Sequence, residues 1–284
     1  MSGSKVPEEI QPLLPKMRAW LNSQPHLPKD VDDQLLVRFI HSCYSDLEKA
    51  QAAAELFFTI RGSSPELLDN RDLESPPMKK MLGVLKLAQL PISGNRSLWI
   101  WQLNDPGLEV FDYLLDAKVF LMSTDSWLLE DTNLPEADIV LMDTKDISLK
   151  FITKFNISIA RKIAKYQEEA MPIRLKQIHI VNAPPIIDKL FSLMKTILKQ
   201  EITDMIHFHT AKSDTLYKYI SKEDLPIDFG GTQGSLEEHN TKVLAQLRRE
   251  KLNTPLWRAT IMDKKSKKKQ SVDEATAFRS LAID

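Results

Sequence analysis

Apolar residues recur at helical spacing from the first positions of the chain. Ile10, Leu13, Leu14, Met17 and Leu21 predict a helix over residues 6–21, which Pro25 and Pro28 end. Asp30 or Asp32 can cap a second helix, whose core stripe is Leu35, Leu36, Phe39 and Ile40. Ser45-Asp46-Leu47-Glu48 has the spacing of a capping box and opens a third helix to about residue 61. Short helices in succession predict a small helical domain. Residues 70–77 are polar, close on Pro76-Pro77, and read as a linker.

Beyond the linker the period changes. Residues 97–103, 138–142, 177–182 and 205–209 read as strands, with helices over residues 110–129 and 149–167 between them. Near-continuous apolar strands alternating with helices predict an α/β fold, a mostly parallel sheet covered by helices and joined by right-handed crossovers. The most apolar helix lies between the last two strands. At about 100° per residue, Ile186, Ile187, Leu190, Phe191, Leu193, Met194, Ile197 and Leu198 fill an arc of roughly 160°, with Asp188, Lys189, Ser192, Lys195 and Thr196 opposite. Periodicity alone makes this an ordinary crossover helix. Residues 235–251 predict a last helix, and residues 264–269 are a lysine-rich, solvated run.

Composition narrows the function. Hydrophobic residues at 43% and charged residues at 27% are ordinary for a globular protein, and 38 basic against 39 acidic residues argue against a nucleic-acid partner. The single cysteine, Cys43, rules out an internal disulfide and fits a reducing compartment. Residues 1–7 lack the apolar core of a signal peptide, and no run approaches the ~20 apolar residues of a membrane span, so a cytoplasmic protein is expected. The chain has no Gly-x-Ser-x-Gly elbow, no phosphate-binding Gly-rich loop with its lysine and no His-Glu-x-x-His, so an enzyme is not expected. His207 and His209 share a strand face, with His179 on a neighbouring strand. They form a conceivable zinc site, but no cysteine or carboxylate completes the spacing, and structural histidines with no metal are the expectation.

The ordered series of Pro172-Ile173-Arg174-Leu175-Lys176-Gln177-Ile178-His179-Ile180-Val181-Asn182, the apolar helix, Ile206-His207-Phe208-His209 and Leu225-Pro226…Gly230-Gly231 resembles the CRAL-TRIO (Sec14-like) lipid-transfer family. Order and spacing are most similar to its tocopherol-transfer and retinaldehyde-binding branch, and residues 277–284 resemble the ending of insect members. The resemblance implies a helical domain over residues 1–75, a lipid-binding domain over 76–240 and a C-terminal extension over 241–284. It makes the apolar helix a gate over a lipid cavity, with Ile186, Leu190, Phe191, Leu193, Met194, Ile197 and Leu198 facing the ligand. It places Phe120, Thr124, Met142, Ile163, Tyr166, Leu175 and Ile178 in the cavity wall, with Ser123, Thr124 and Tyr166 as hydrogen-bonding groups. It also implies phosphoinositide binding: Arg174 and Lys176 match two basic positions, Glu201 and Met205 stand at the other two, and Lys195 and Lys199 add charge nearby. The implied function is transfer of a tocopherol, retinoid or similar isoprenoid, with transient contact to an anionic membrane and no cofactor beyond the bound lipid. The alternatives are a Sec14-like phosphatidylinositol exchanger and an α/β hydrolase.

Overall fold

The computed structural model describes residues 6–249 and 257–260. The first helix, α1 (Leu14–Ser23), is shorter than the pattern predicts, and the residues before it form turns. Pro12 and Pro15 lack an N–H, so the helix begins where Pro15 falls in its first turn. Asp32 caps α2 (Asp33–Ser42) by accepting the Gln34 amide at 2.6 Å. The cap of α3 (Leu47–Gly62) is Asp46, which accepts the Lys49 amide, and not the Ser45–Glu48 box. Ser45 and Tyr44 occupy left-handed backbone, φ 62° and 54°, which places the capping geometry one residue later.

Two short helices follow, α4 (Pro65–Leu68) and α5 (Pro76–Val84). The predicted linker between them is no solvated spacer. Arg71 is 1% exposed and donates to Asp125 at 2.7 Å. Phe39, Phe57 and Phe58 pack in the bundle core, the Phe57 ring edge-on to each of the other two at 5.4 Å.

The sheet has five strands in the order β1 (Leu85–Ile92), β2 (Arg96–Leu103), β3 (Ala137–Asp143), β4 (Leu175–Val181) and β5 (Ile206–Phe208). β1 and β2 form an antiparallel hairpin, and the remaining pairs are parallel, so the predicted mostly parallel sheet is observed. β1 was not predicted. It is an edge strand, where Pro91 is tolerated, and its Leu87 amide is taken by Asn240 of the helix Leu236–Arg249 at 3.0 Å.

Between β2 and β3 runs α6 (Tyr113–Glu130), capped by Asp112. Its buried side chains face two clusters. Ala117, Leu121, Trp127 and Leu128 pack into the helical bundle, while Val119 and Met122 pack into a second cluster with Leu103, Phe111 and Phe151. Asp125 anchors the first contact from within, accepting Arg61 at 2.8 and 2.9 Å. The predicted helix over 149–167 is two helices, α7 (Leu149–Lys154) and α8 (Ile157–Glu169), because Asn156 turns out of the helix and caps α8. At the far end of the chain, Ala259 donates to Phe58 O at 3.0 Å and Trp257 covers the bundle core. The lysine run and residues 277–284 lie outside the described residues.

Candidate functional site

The two faces of the sheet are covered differently. Alternation sends Leu98, Ile100, Ile139, Leu141 and Val181 to one face, where none is more than 5% exposed. There Leu216, Ile220, Leu225 and Phe229, from the segment of three short 3-10 turns (Thr215–Lys218, Lys222–Asp224, Ile227–Phe229), fill the space. The neighbouring positions face the other way. Trp99 pairs across to Val140 and Ile178, and Trp101 to Met142, and all of these stay only half-buried.

Over this second face lies α9 (Ile187–Met194). Every apolar position from Ile186 to Leu198 is half-buried and every polar one is exposed; among the described helices, α9 alone has no buried side chain. Leu190 reaches the cluster that holds Trp101, Tyr113 and Phe155, and Phe191 meets Phe208 of β5 edge-on at 5.0 Å. The α-helix stops short of the predicted residue 198, where the Thr196 hydroxyl bonds the Leu193 carbonyl and residues 195–198 continue as turns. Asn182, in left-handed backbone at φ 53° and held by Asp143 at 3.0 Å, leads from β4 to Pro184-Pro185 and α9. The helix is thus slung between an irregular entry and a turn, over apolar side chains that are only half-buried.

Met142 and Ile178 are half-buried on the sheet face toward α9, and Ile186, Leu190, Phe191, Leu193, Met194, Ile197 and Leu198 form the half-buried side of the cover. Leu175 is half-buried at the start of β4, and Phe120 and Ile163 are half-buried against the bundle cluster. The predicted hydrogen-bonding groups need correction. Thr124 is fully buried with its hydroxyl on Phe120 O at 2.9 Å, and Ser123 bonds the same carbonyl at 2.8 Å. Tyr166 is packed on Phe57 and shares its hydroxyl with Arg61 at 3.3 Å, inside the bundle interface. Their hydroxyls are satisfied by the protein. The pattern instead missed Trp99 and Trp101, whose indole N–H groups donate to Asp138 and Asp116 at 3.0 and 2.9 Å; the Trp99 ring packs edge-on against Trp127 of α6 at 4.7 Å, and Trp101 joins the cluster that Leu190 reaches. Their alternation with Leu98 and Ile100 was the available signal.

Residues 110–231, from just before α6 through the 3-10 turns, match the family model described as the CRAL/TRIO domain. The chain carries a CRAL-TRIO domain. Residues 6–78 match a model described as the Pinta-like UBA domain. The chain is similar to the human alpha-tocopherol transfer protein-like protein, 25% identical over 75% of this chain and 62% of that protein, and to rat clavesin-1, 27% identical over 71% and 57%. It therefore matches less than two thirds of these relatives' length. The crystal structure of Sfh5 shares the fold, with a TM-score of 0.51 at 12% identity over 87% of this chain and 98% of that one.

At the edge of the CRAL-TRIO domain the predicted cations divide. Arg174 is not available to a phosphate. Its guanidinium stacks on Tyr44 at 4.2 Å, donates to His41 O at 2.9 and 2.6 Å, and pairs with Glu136, tying β4 to the end of α2. Lys199 is paired with Glu169 at 2.7 Å, which holds its ammonium above the usual range. Lys176, beside Tyr44, and Lys195, over the Phe191 ring, are exposed without a carboxylate partner among the described residues.

The three histidines cluster on the packed face. His179 Nδ1 lies 2.9 Å from His209 Nε2, its ring stacks on His207 at 5.2 Å, and Tyr219 closes the group. Burial first, then the neighbouring imidazoles, pull His179 down to about 3. The rings stack and bond to one another, and no metal-binding group of three is found among the described residues. No described helix is long and apolar enough to cross a membrane.

Proposed function

We propose that the chain binds one hydrophobic small molecule in the hollow between the sheet and α9 and carries it between membranes, with α9 as the gate. The observation that supports this reading most is the cover helix itself: a wide apolar face of which no residue is fully buried. An unfilled apolar surface gains about 25 cal/mol for each Å² that a ligand covers, and the same face can turn to acyl chains when the helix swings out. The ligand we infer is a tocopherol, retinoid or similar isoprenoid, in keeping with relatives named for tocopherol transfer. The protein works without catalysis, in the cytoplasm, touching membranes transiently. On an anionic surface, phosphoinositides included, Lys176 and Lys195 supply the attraction, at about 1 kcal/mol per charge.

Organic extraction of the purified protein followed by mass spectrometry tests the reading. A single class of isoprenoid lipid is expected. Phosphatidylinositol in stoichiometric amount would instead favour a Sec14-like exchanger, and a protein that neither retains nor takes up lipid would overturn both.

A further inference from the structure

Two polar atoms on the first turns of α6 have no role in holding the fold. Asp116 accepts the Trp101 indole N–H on Oδ1 at 2.9 Å, but Oδ2 has no hydrogen-bond partner among the described residues. The Tyr113 hydroxyl, one helical turn earlier, likewise has none. Neither atom is among the sealed, unsatisfied polar atoms, and both residues keep part of their surface accessible. Their surroundings are nevertheless apolar: Tyr113 packs on Phe155 at 4.9 Å and Phe151 at 6.4 Å, in the same cluster as Trp101 and the gate residue Leu190. The free oxygens thus belong to residues at the apolar cluster that Leu190 of α9 joins.

Accepting the carrier reading above, we infer that Asp116 and Tyr113 form the polar end of the lipid site and select a neutral lipid bearing a free hydroxyl, an alcohol or a phenol, over its esters and over phospholipids. An ionised carboxylate only accepts hydrogen bonds, so it rewards an O–H and offers nothing to an ester. It also repels a phosphate in a low-dielectric hollow. Burial pushes Asp116 up to about 6, which leaves it mostly ionised at neutral pH. The Tyr113 hydroxyl can donate to the ligand oxygen, so the pair reads both halves of an O–H group. Apolar walls with a few convergent polar groups are what orient a buried ligand.

The test uses the full chain and two probe pairs, all-trans-retinol with its acetate and α-tocopherol with its acetate, each titrated with and without phosphatidylinositol vesicles. The free hydroxyl form is expected to bind on the order of tenfold more tightly than its ester, the yield of one hydrogen bond to a charged group. Asp116→Leu should reduce that preference to about twofold or less while leaving ester affinity unchanged, and Tyr113→Phe, which keeps the ring packing, should reduce it by about threefold. Equal binding of alcohol and ester to the unaltered chain would overturn the inference, as would an undiminished preference in Asp116→Leu together with Tyr113→Phe. Displacement of both probe pairs by equimolar phosphatidylinositol would also overturn it and replace the ligand class. If neither probe nor phospholipid is held, the carrier reading falls with it.

Discussion

On the face that looks toward the 3-10 turns, Leu98, Ile100, Ile139 and Leu141 are enclosed on all sides. On the face toward α9, Trp99, Trp101, Val140 and Met142, each one residue along the same strands, keep part of their surface free. Both sets are large and apolar, so hydrophobicity does not separate them. The cover does. The packed face meets irregular chain whose Leu216, Ile220, Leu225 and Phe229 come from several directions and fill the gaps. The other meets α6, through Trp127 and Asp116, and one short helix, α9, which offers a single ridge of side chains and is entered through Asn182 in a left-handed conformation.

Truncation should separate the faces most strongly. Leu141→Ala is expected to cost about 2–5 kcal/mol, the range for emptying a closed core, whereas Met142→Ala should cost less than about 1 kcal/mol because its surroundings are already open. Denaturant unfolding of the two variants checks this, and equal losses would erase the distinction. The gate comes next. Leu190→Asp with Met194→Asp places charges where the helix must meet lipid, so vesicle-to-vesicle transfer should fall on the order of a hundredfold while the unfolding midpoint barely moves. Transfer at the original rate would remove α9 from the mechanism.

Acid probes both faces with opposite signs. His179, on the packed face, has a folded pKa pulled below its ordinary 6.5 to about 3, so the unfolded chain takes up its proton first. Its contribution is complete above 6.5 and is lost as pH falls, by about 2 kcal/mol at pH 5. Asp116, on the open face, is raised from 3.8 to about 6, so its ionised form costs stability at neutral pH and that cost is relieved as pH falls through 6. Thermal melts across pH 4–8 should show a flatter acid limb for His179→Gln and a raised melting temperature at pH 7 for Asp116→Asn. The smallest effect is expected at the rim. Lys176→Glu and Lys195→Glu should each weaken binding to anionic vesicles by about 1 kcal/mol, while Arg174→Ala should lower stability and leave sedimentation with vesicles unchanged.

The parallel strands and the order of helices were legible because their periods are long and regular. β1 was not, since Lys86, Gln89 and Pro91 interrupt it and only its position at the sheet edge makes them acceptable. The break between α7 and α8 was hidden by an apolar period that runs through Asn156. The polar anchors were misjudged for a related reason: hydroxyls such as Thr124 sit at the right depth, but a helix satisfies them with its own carbonyl four residues back. The fate of Arg174 was invisible locally, because its acceptor, the His41 carbonyl, lies 133 residues away in sequence.

The union of α2 with the far end of α6 carries a consequence for biosynthesis. Arg38 bonds the Asp131 carbonyl, 93 residues downstream, and His41 bonds that of Pro135 at 2.8 Å, 94 residues downstream. As the polypeptide leaves the ribosome, its first helices must therefore wait, incompletely docked, until more than a third of the protein has been translated. Large proteins often fold piece by piece from the N-terminus, but here the first piece is completed only by the second.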